Sequence, residues 1–232
     1  MMSEDNFSFY KEYPKECERD DFWRQVKRTV NGVPVSQEQI DLIISAIVDN
    51  LALTESDHLL DLCCGNGALS SPVFKCCSGG LGVDFSEYLI SVANEFFASP
   101  PREVYFLQDV VEFCTKPVSP EKFSKALCYG SFSYIGLSQA VQMLESLRKN
   151  FPNLQRIFIG NCPDKALLGD FVGGRDFIAG TELDPDSPIG IWRTENEFSE
   201  LAQRAGWKVS FHKMSEQYYA SHYRYDAVLE RG

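Results

Sequence analysis

A chain of 232 residues has the length of one α/β domain with an added segment, and its 44% hydrophobic content is enough for a sizeable core. With 22 basic against 33 acidic residues and a net charge of −11, it lacks the Lys/Arg-rich face that a nucleic-acid substrate demands. No apolar run reaches the roughly 18 residues of a membrane span, and the polar, aromatic start of the chain does not read as a signal peptide. The eight cysteines include the adjacent pairs Cys63-Cys64 and Cys76-Cys77, with no Cys-x-x-Cys and no histidines at zinc-finger spacing. They read as small buried hydrophobes in a reduced, cytoplasmic setting, with no metal.

Residues 1–35 read as an N-terminal extension. Phe7, Phe9, Tyr10, Tyr13, Phe22 and Trp23 stand in a highly charged stretch, and Asn31-Gly32 marks a turn before Pro34. Such rings need a surface: a lid over a cleft, a layer on a sheet, or a dimer interface. Lys11, Lys15, Arg19, Arg24, Lys27 and Arg28 also cluster here. Interleaved with Glu12, Glu16, Glu18, Asp20 and Asp21, they read as solvated helix charges.

Residues 36–232 read as the main domain. Ser36-Gln37-Glu38-Gln39 has capping-box form, and Ile40, Ile43, Ile44, Ile47, Val48 and Leu51 follow at helical spacing. A buried strand then runs into HLLDLCCGNGALS, residues 58–70, whose Gly65 and Gly67 open a flexible turn where a ligand can lie against the backbone. A second strand ends at Asp84 and a helix capped by Ser86 follows; a third strand ends at Gln108-Asp109. Further strands are expected over 123–129, 154–160, 207–214 and 223–230, with helices near 86–98, 138–149 and 194–205. Thr194 and Glu197 form a second capping box. Strand–helix alternation predicts a parallel sheet with helices on both faces. The last two strands, joined without a helix, must be antiparallel neighbours.

Three strands ending in the acids Asp61, Asp84 and Asp109 are more specific than any one of them. Over about residues 55–230 the chain resembles the class I methyltransferases that use S-adenosylmethionine. The resemblance implies a three-layer α/β sandwich with a mostly parallel seven-stranded sheet and a terminal antiparallel strand. It also implies a cofactor site of Asp61, Cys63, Gly65, Asn66, Gly67, Asp84, Phe85, Gln108, Asp109, Val110 and Tyr129. In it Asp84 takes the ribose hydroxyls and Asp109 the adenine amine. Cys63 stands where the family pattern has its first glycine. The rival is an NAD-dependent oxidoreductase, whose Gly-x-Gly-x-x-Gly loop wants Gly or Ala where this chain has Ser70. A non-catalytic module that binds the cofactor and regulates a partner is the second rival.

In such a sheet the ligand lies beyond the carboxyl ends of the parallel strands, and the antiparallel strand presents its start there. That rule selects His222 among three histidines as the general base for a hydroxyl nucleophile, against a structural histidine bonded to a carbonyl. Asp164 is the second candidate base. It and Asn161 can orient substrate hydroxyls, and Tyr129, Ser131 and Tyr134 can line the wall between cofactor and acceptor. Residues 170–193 form a long link with aromatic anchors at Phe171, Phe177 and Trp192, read as a substrate-side cover. Tyr223 and Trp192 face the acceptor in this reading. Arg175 and Arg193 either pair a phosphate or carboxylate on the acceptor or bridge to Asp176, Glu182 or Asp184. FWRQVKRTVNGVPVSQEQI and SHYRYDAVLER are similar to segments of bacterial methyltransferases found with surface-glycan biosynthesis, which implies a sugar hydroxyl or glycan precursor as acceptor. The expectation is therefore O-methylation of a small molecule or glycan precursor, with the oligomeric state open.

Overall fold

A computed structural model of the protein describes residues 9–173 and 177–232. Phe7, Arg175 and Asp176 lie outside them. Seven strands form one sheet: β3 (His58–Leu62), β4 (Gly79–Asp84), β5 (Glu103–Leu107), β6 (Lys125–Tyr129), β7 (Arg156–Pro163), β8 (Trp207–His212) and β9 (Arg224–Arg231), in the order β5-β4-β3-β6-β7-β9-β8. The first five are mutually parallel, and β9 inserts antiparallel between β7 and β8. A two-stranded hairpin of β1 (Thr29–Val30) and β2 (Val33–Pro34) precedes it. Asn31 and Gly32 both carry positive φ there, as a tight hairpin turn requires.

The strands are continuous apolar runs because helices cover both faces. Leu60 and Leu62 enter one core with helices α5 (Val110–Thr115), α6 (Leu137–Asn150) and α8 (Glu195–Arg204). Leu59 enters the other core, with α2 (Gln37–Leu51), α3 (Ser70–Phe74) and α4 (Glu87–Phe96). Each of these leucines is fully buried and contributes about 1.5–3 kcal/mol relative to exposure. The remaining helices are α1 (Phe22–Gln25) and α7 (Leu168–Val172). This is the class I methyltransferase fold.

The capping expectations divide. Thr194 and Glu197 form the reciprocal box, whereas Ser36 makes no side-chain cap bond. Ser86 occupies the N-cap position of α4, but its Oγ donates to the Tyr10 carbonyl and so ties the N-terminal segment down. Helix α5 has no counterpart among the sequence expectations. Six residues carry too little periodicity to be read, yet Asp109 caps it by accepting from the Val111 and Glu112 amides.

Candidate active site

The turn after β3 is built from backbone strain and two buried carboxylates. Cys63, Gly65 and Gly67 have φ of 61°, 58° and 78°. The two glycines adopt this left-handed region freely, whereas Cys63 costs about 1–2 kcal/mol there. A hydrogen bond with the Cys128 thiol and burial push the Cys63 thiol well above the ordinary value, so it stays protonated and packs rather than reacts. Gly67 serves packing more than ligand approach, because a Cβ there would lie 2.9 Å from the Tyr105 ring. A Cβ on Gly65 would meet Val26 at 3.0 Å.

Asp84 holds the turn's shape: one carboxylate oxygen accepts from the Gly65 amide and the other from the Ser86 amide, each at 2.9 Å. Burial pushes its carboxyl up to about 6, against the pull of those amides. Asp61 accepts a 2.5 Å bond from Ser70 Oγ. Burial raises its carboxyl to about 7; the Ser70 bond pulls it down, the neighbouring Asp84 charge pushes it up, and Arg28 lowers it. Ser70, where the dinucleotide motif wants Gly or Ala, thus has a role that a third glycine could not fill. The turn is anchored to the N-terminal segment as well, since Asn66 Nδ2 donates to the Phe22 carbonyl and to Gln25 Oε1, both at 2.8 Å.

A cleft with about 1050 Å³ of unfilled space lies along the carboxyl ends of β3, β4 and β6. Of the expected cofactor residues, Asp61, Cys63, Gly65, Asn66, Asp84, Phe85, Asp109, Val110 and Tyr129 line it. Gly67 and Gln108 do not; Gln108 faces a separate shallow depression beside Lys11 and Lys15. The opposite wall comes from Tyr10, Trp23, Val26 and Arg28 of the N-terminal segment. A cationic sulfonium and ammonium fit the buried Asp61 carboxylate, hydroxyls fit Asp84, and a flat apolar ring fits Phe85, Leu89 and Val110. The residues present therefore suit S-adenosylmethionine.

A second cavity continues outward, sharing Tyr10, Val26, Arg28, Gly130 and Tyr134 with the first. Asn161, Asp186, Tyr219, Tyr223 and Arg224 lie on its walls, around about 1410 Å³ of unfilled space. Asn161 reaches it through an irregularity in β7, where the register against β9 shifts between Ile159 and Cys162 and Asn161 takes a φ of 65°. Its side chain accepts from Tyr218 Oη, which in turn accepts from Tyr129 Oη. This chain of bonds crosses from the cofactor wall to the second cavity. Tyr134 and Tyr10 pack edge to face at 5.9 Å, and Tyr134 Oη donates to the Pro188 carbonyl.

Of the residues expected on the acceptor side, Asn161, Tyr134 and Tyr223 come together here, and Ser131 lines the cofactor cleft. Others are placed elsewhere. His222 is exposed and lines neither cavity; in the 221–223 turn it packs against Tyr223, while Tyr223 and Arg224 face inward. Asp164 is buried as the cap of the 165–167 turn, accepting from the Ala166 amide at 3.0 Å. Trp192 is buried against Phe171 and Tyr223. Arg193 makes no ion pair among the described residues. It is buried over the Phe132 ring and donates to the Ile135 carbonyl. The arginines that do face the cleft are Arg28 and Arg224. Arg28 was expected among solvated charges, and nothing in a single sequence separates it from its neighbours. Tyr219 likewise carries no local signal, whereas Tyr10 is one of the N-terminal rings expected to need a surface.

A methyltransferase-domain family matches residues 59–151. No curated protein matches the chain at a significant level. Solved structures share the fold at low identity. The magnesium protoporphyrin IX methyltransferase from Synechocystis PCC 6803 with bound S-adenosylhomocysteine is 17% identical, with a TM-score of 0.64 over 97% of each chain. The DhpI–S-adenosylhomocysteine complex is 14% identical, with a TM-score of 0.65 over 100% of this chain and 97% of that one. An S-adenosylmethionine-dependent methyltransferase from Clostridium acetobutylicum ATCC 824 is 16% identical, with a TM-score of 0.63 over 89% of this chain and 96% of that one. The domain match favours a methyltransferase over the nicotinamide reading. Residues 59–151 match a methyltransferase domain, and together with the class I methyltransferase fold and the acid-lined cleft this match supports a methyltransferase enzyme that uses S-adenosylmethionine.

Proposed function

We propose that the chain methylates an oxygen of a small-molecule acceptor, a class that includes the glycan precursors implied by residues 22–40 and 221–231. The observation that carries this reading is the continuity of the two cavities through Arg28, Gly130 and Tyr134, with hydroxyl and amide groups around the outer one. When bound, the cofactor supplies an activated methyl group for in-line displacement. The protein's part is alignment and exclusion of water. In this reading Asp61, Gly65, Asp84, Asp109 and Val110 hold the cofactor, and Asn161, Tyr134 and Tyr223 orient the acceptor.

Residues 9–35 act as the lid of a domain spanning 36–232. The bonds from Asn66 to Phe22 and Gln25, and from Ser86 to Tyr10, support that role. The 170–193 segment acts as the substrate-side cover, supported by the Tyr134–Pro188 bond and the Ile191 amide bonded to the Ser133 carbonyl. A cytoplasmic enzyme acting on a diffusible acceptor fits the eight free cysteines. Among the described residues no helix is long and apolar enough to cross a membrane.

Calorimetric titration with S-adenosylhomocysteine, followed by a screen of phenols, sugars and nucleotide sugars with labelled cofactor, tests this reading. Micromolar binding and label in an O-methyl ether support it. Label found only on nitrogen, carbon or sulfur overturns the oxygen assignment.

A further inference from the structure

We propose that the acceptor carries a carboxylate or phosphate group, held in the outer cavity by Arg224 with Arg28 at the inner end. This rests on reading that cavity as the acceptor site. Both guanidinium groups line it, in a chain whose net charge is −11. Neither makes an ion pair with an acid among the described residues. Arg224 donates through Nη1 to the Asn161 carbonyl and lies over the Tyr223 ring at 4.7 Å, which fixes its plane. Its Nε is sealed from solvent and has no hydrogen-bond partner. Arg28 stacks over Tyr129 at 5.1 Å and Trp23 at 5.7 Å, and its Nη1 is likewise buried without a partner.

Two guanidinium groups lining one cavity without a carboxylate paired to either point to an anionic ligand that would pair them. Guanidinium is the group best matched to the paired oxygens of a carboxylate or phosphate. Asp186 shares the cavity wall, and Asp61 and Asp226 lie near Arg28 and Arg224 respectively. Asp226, however, accepts from the Asn161 amide and Asp61 from Ser70, and neither carboxylate forms an ion pair with an arginine among the described residues. The flat faces of Tyr10, Tyr134, Tyr219 and Tyr223 suit an aromatic or other planar body attached to the anion.

The test uses the full chain saturated with S-adenosylhomocysteine and titrated with benzoate, phenyl phosphate and the neutral benzamide. At least tenfold tighter binding of one anion over benzamide is expected, and the better anion identifies carboxylate or phosphate as the native group. Arg224→Gln is expected to erase that preference and Arg224→Lys to keep part of it, with S-adenosylhomocysteine affinity unchanged in both. Equal binding of the three probes, no anion binding up to 10 mM (roughly 2.7 kcal/mol by affinity arithmetic), or a preference that survives Arg224→Gln overturns the proposal. Should Arg224→Gln not fold, the wild-type preference and Arg224→Lys decide. Failure of S-adenosylhomocysteine itself to bind would instead count against the cofactor site.

Discussion

The inner and outer halves of the cleft are built in different ways. The inner half comes from consecutive strand ends, and its key bonds are short in sequence or repeat one architectural rule: Ser70 to Asp61, Gly65 to Asp84, and Asp109 to its own helix. The outer half is assembled from distant pieces, with Arg28 before the domain, Tyr134 after β6, Asn161 on β7 and Arg224 opening β9. On the proposed reading, the cofactor is met by a local, recurrent turn, whereas the acceptor is met by whichever side chains the completed sheet brings together.

The largest expected effect breaks the inner half. Asp84→Ala removes a buried acceptor of two backbone amides, and S-adenosylhomocysteine affinity should fall at least 100-fold, with a loss of about 2–4 kcal/mol in unfolding by urea. Next is Gly67→Val, which places a branched side chain at a φ of 78° and against Tyr105. It should destabilise by about 2–3 kcal/mol, and Tyr105→Leu in the same chain should recover part of that loss.

The third prediction concerns pH. Asp61 has its folded value raised to about 7, above the ordinary carboxylate value it has when unfolded. Between about pH 4 and 7 the folded state therefore holds the extra proton, and stability falls as pH rises through that window. Asp61→Asn should stabilise the free protein at pH 8 by on the order of 1–4 kcal/mol and leave it unchanged at pH 4. Cationic groups of the cofactor favour the ionised carboxylate. Binding should accordingly tighten up to about tenfold from pH 6 to 8, with proton release visible as a buffer-dependent heat.

The smallest effects sharpen the contrast from the outer side. Asp164→Ala should cost about 1 kcal/mol as a lost cap, with the S-adenosylhomocysteine dissociation constant unchanged. His222→Ala should leave both stability and turnover within twofold, since the ring is exposed and packs against Tyr223. A hundredfold loss of turnover in the histidine variant with unchanged acceptor binding would restore it as the base.

Much of the fold was legible because its strands are apolar runs punctuated by turn residues and its longer helices carry a clean 3.6-residue period. Helix α2 buries Ile40, Ile43, Ile47 and Leu51, as its spacing predicts. The terminal strand pair followed from the lack of a crossover helix between 212 and 224. The three acids that line the cleft, Asp61, Asp84 and Asp109, were legible through one strand-end rule applied three times. On the acceptor side the same rule selected His222, which lines neither cavity. It selected the right stretch, 221–224, but a single-turn helix there faces Tyr223 and Arg224 inward and His222 outward, and three residues hold no periodicity from which that rotation can be read.

Local pattern and chain connectivity were enough to read from the residues a mostly parallel seven-stranded sheet, its terminal antiparallel pair and the acids at three strand ends, but not the order of the strands. Only the tertiary structure decided that Arg28 leaves a charged surface stretch to join Arg224, that Ser70 serves Asp61, and that Asp164 is a cap. Each of those outcomes is a contact between side chains with no local signature, settled by which groups burial leaves to satisfy one another.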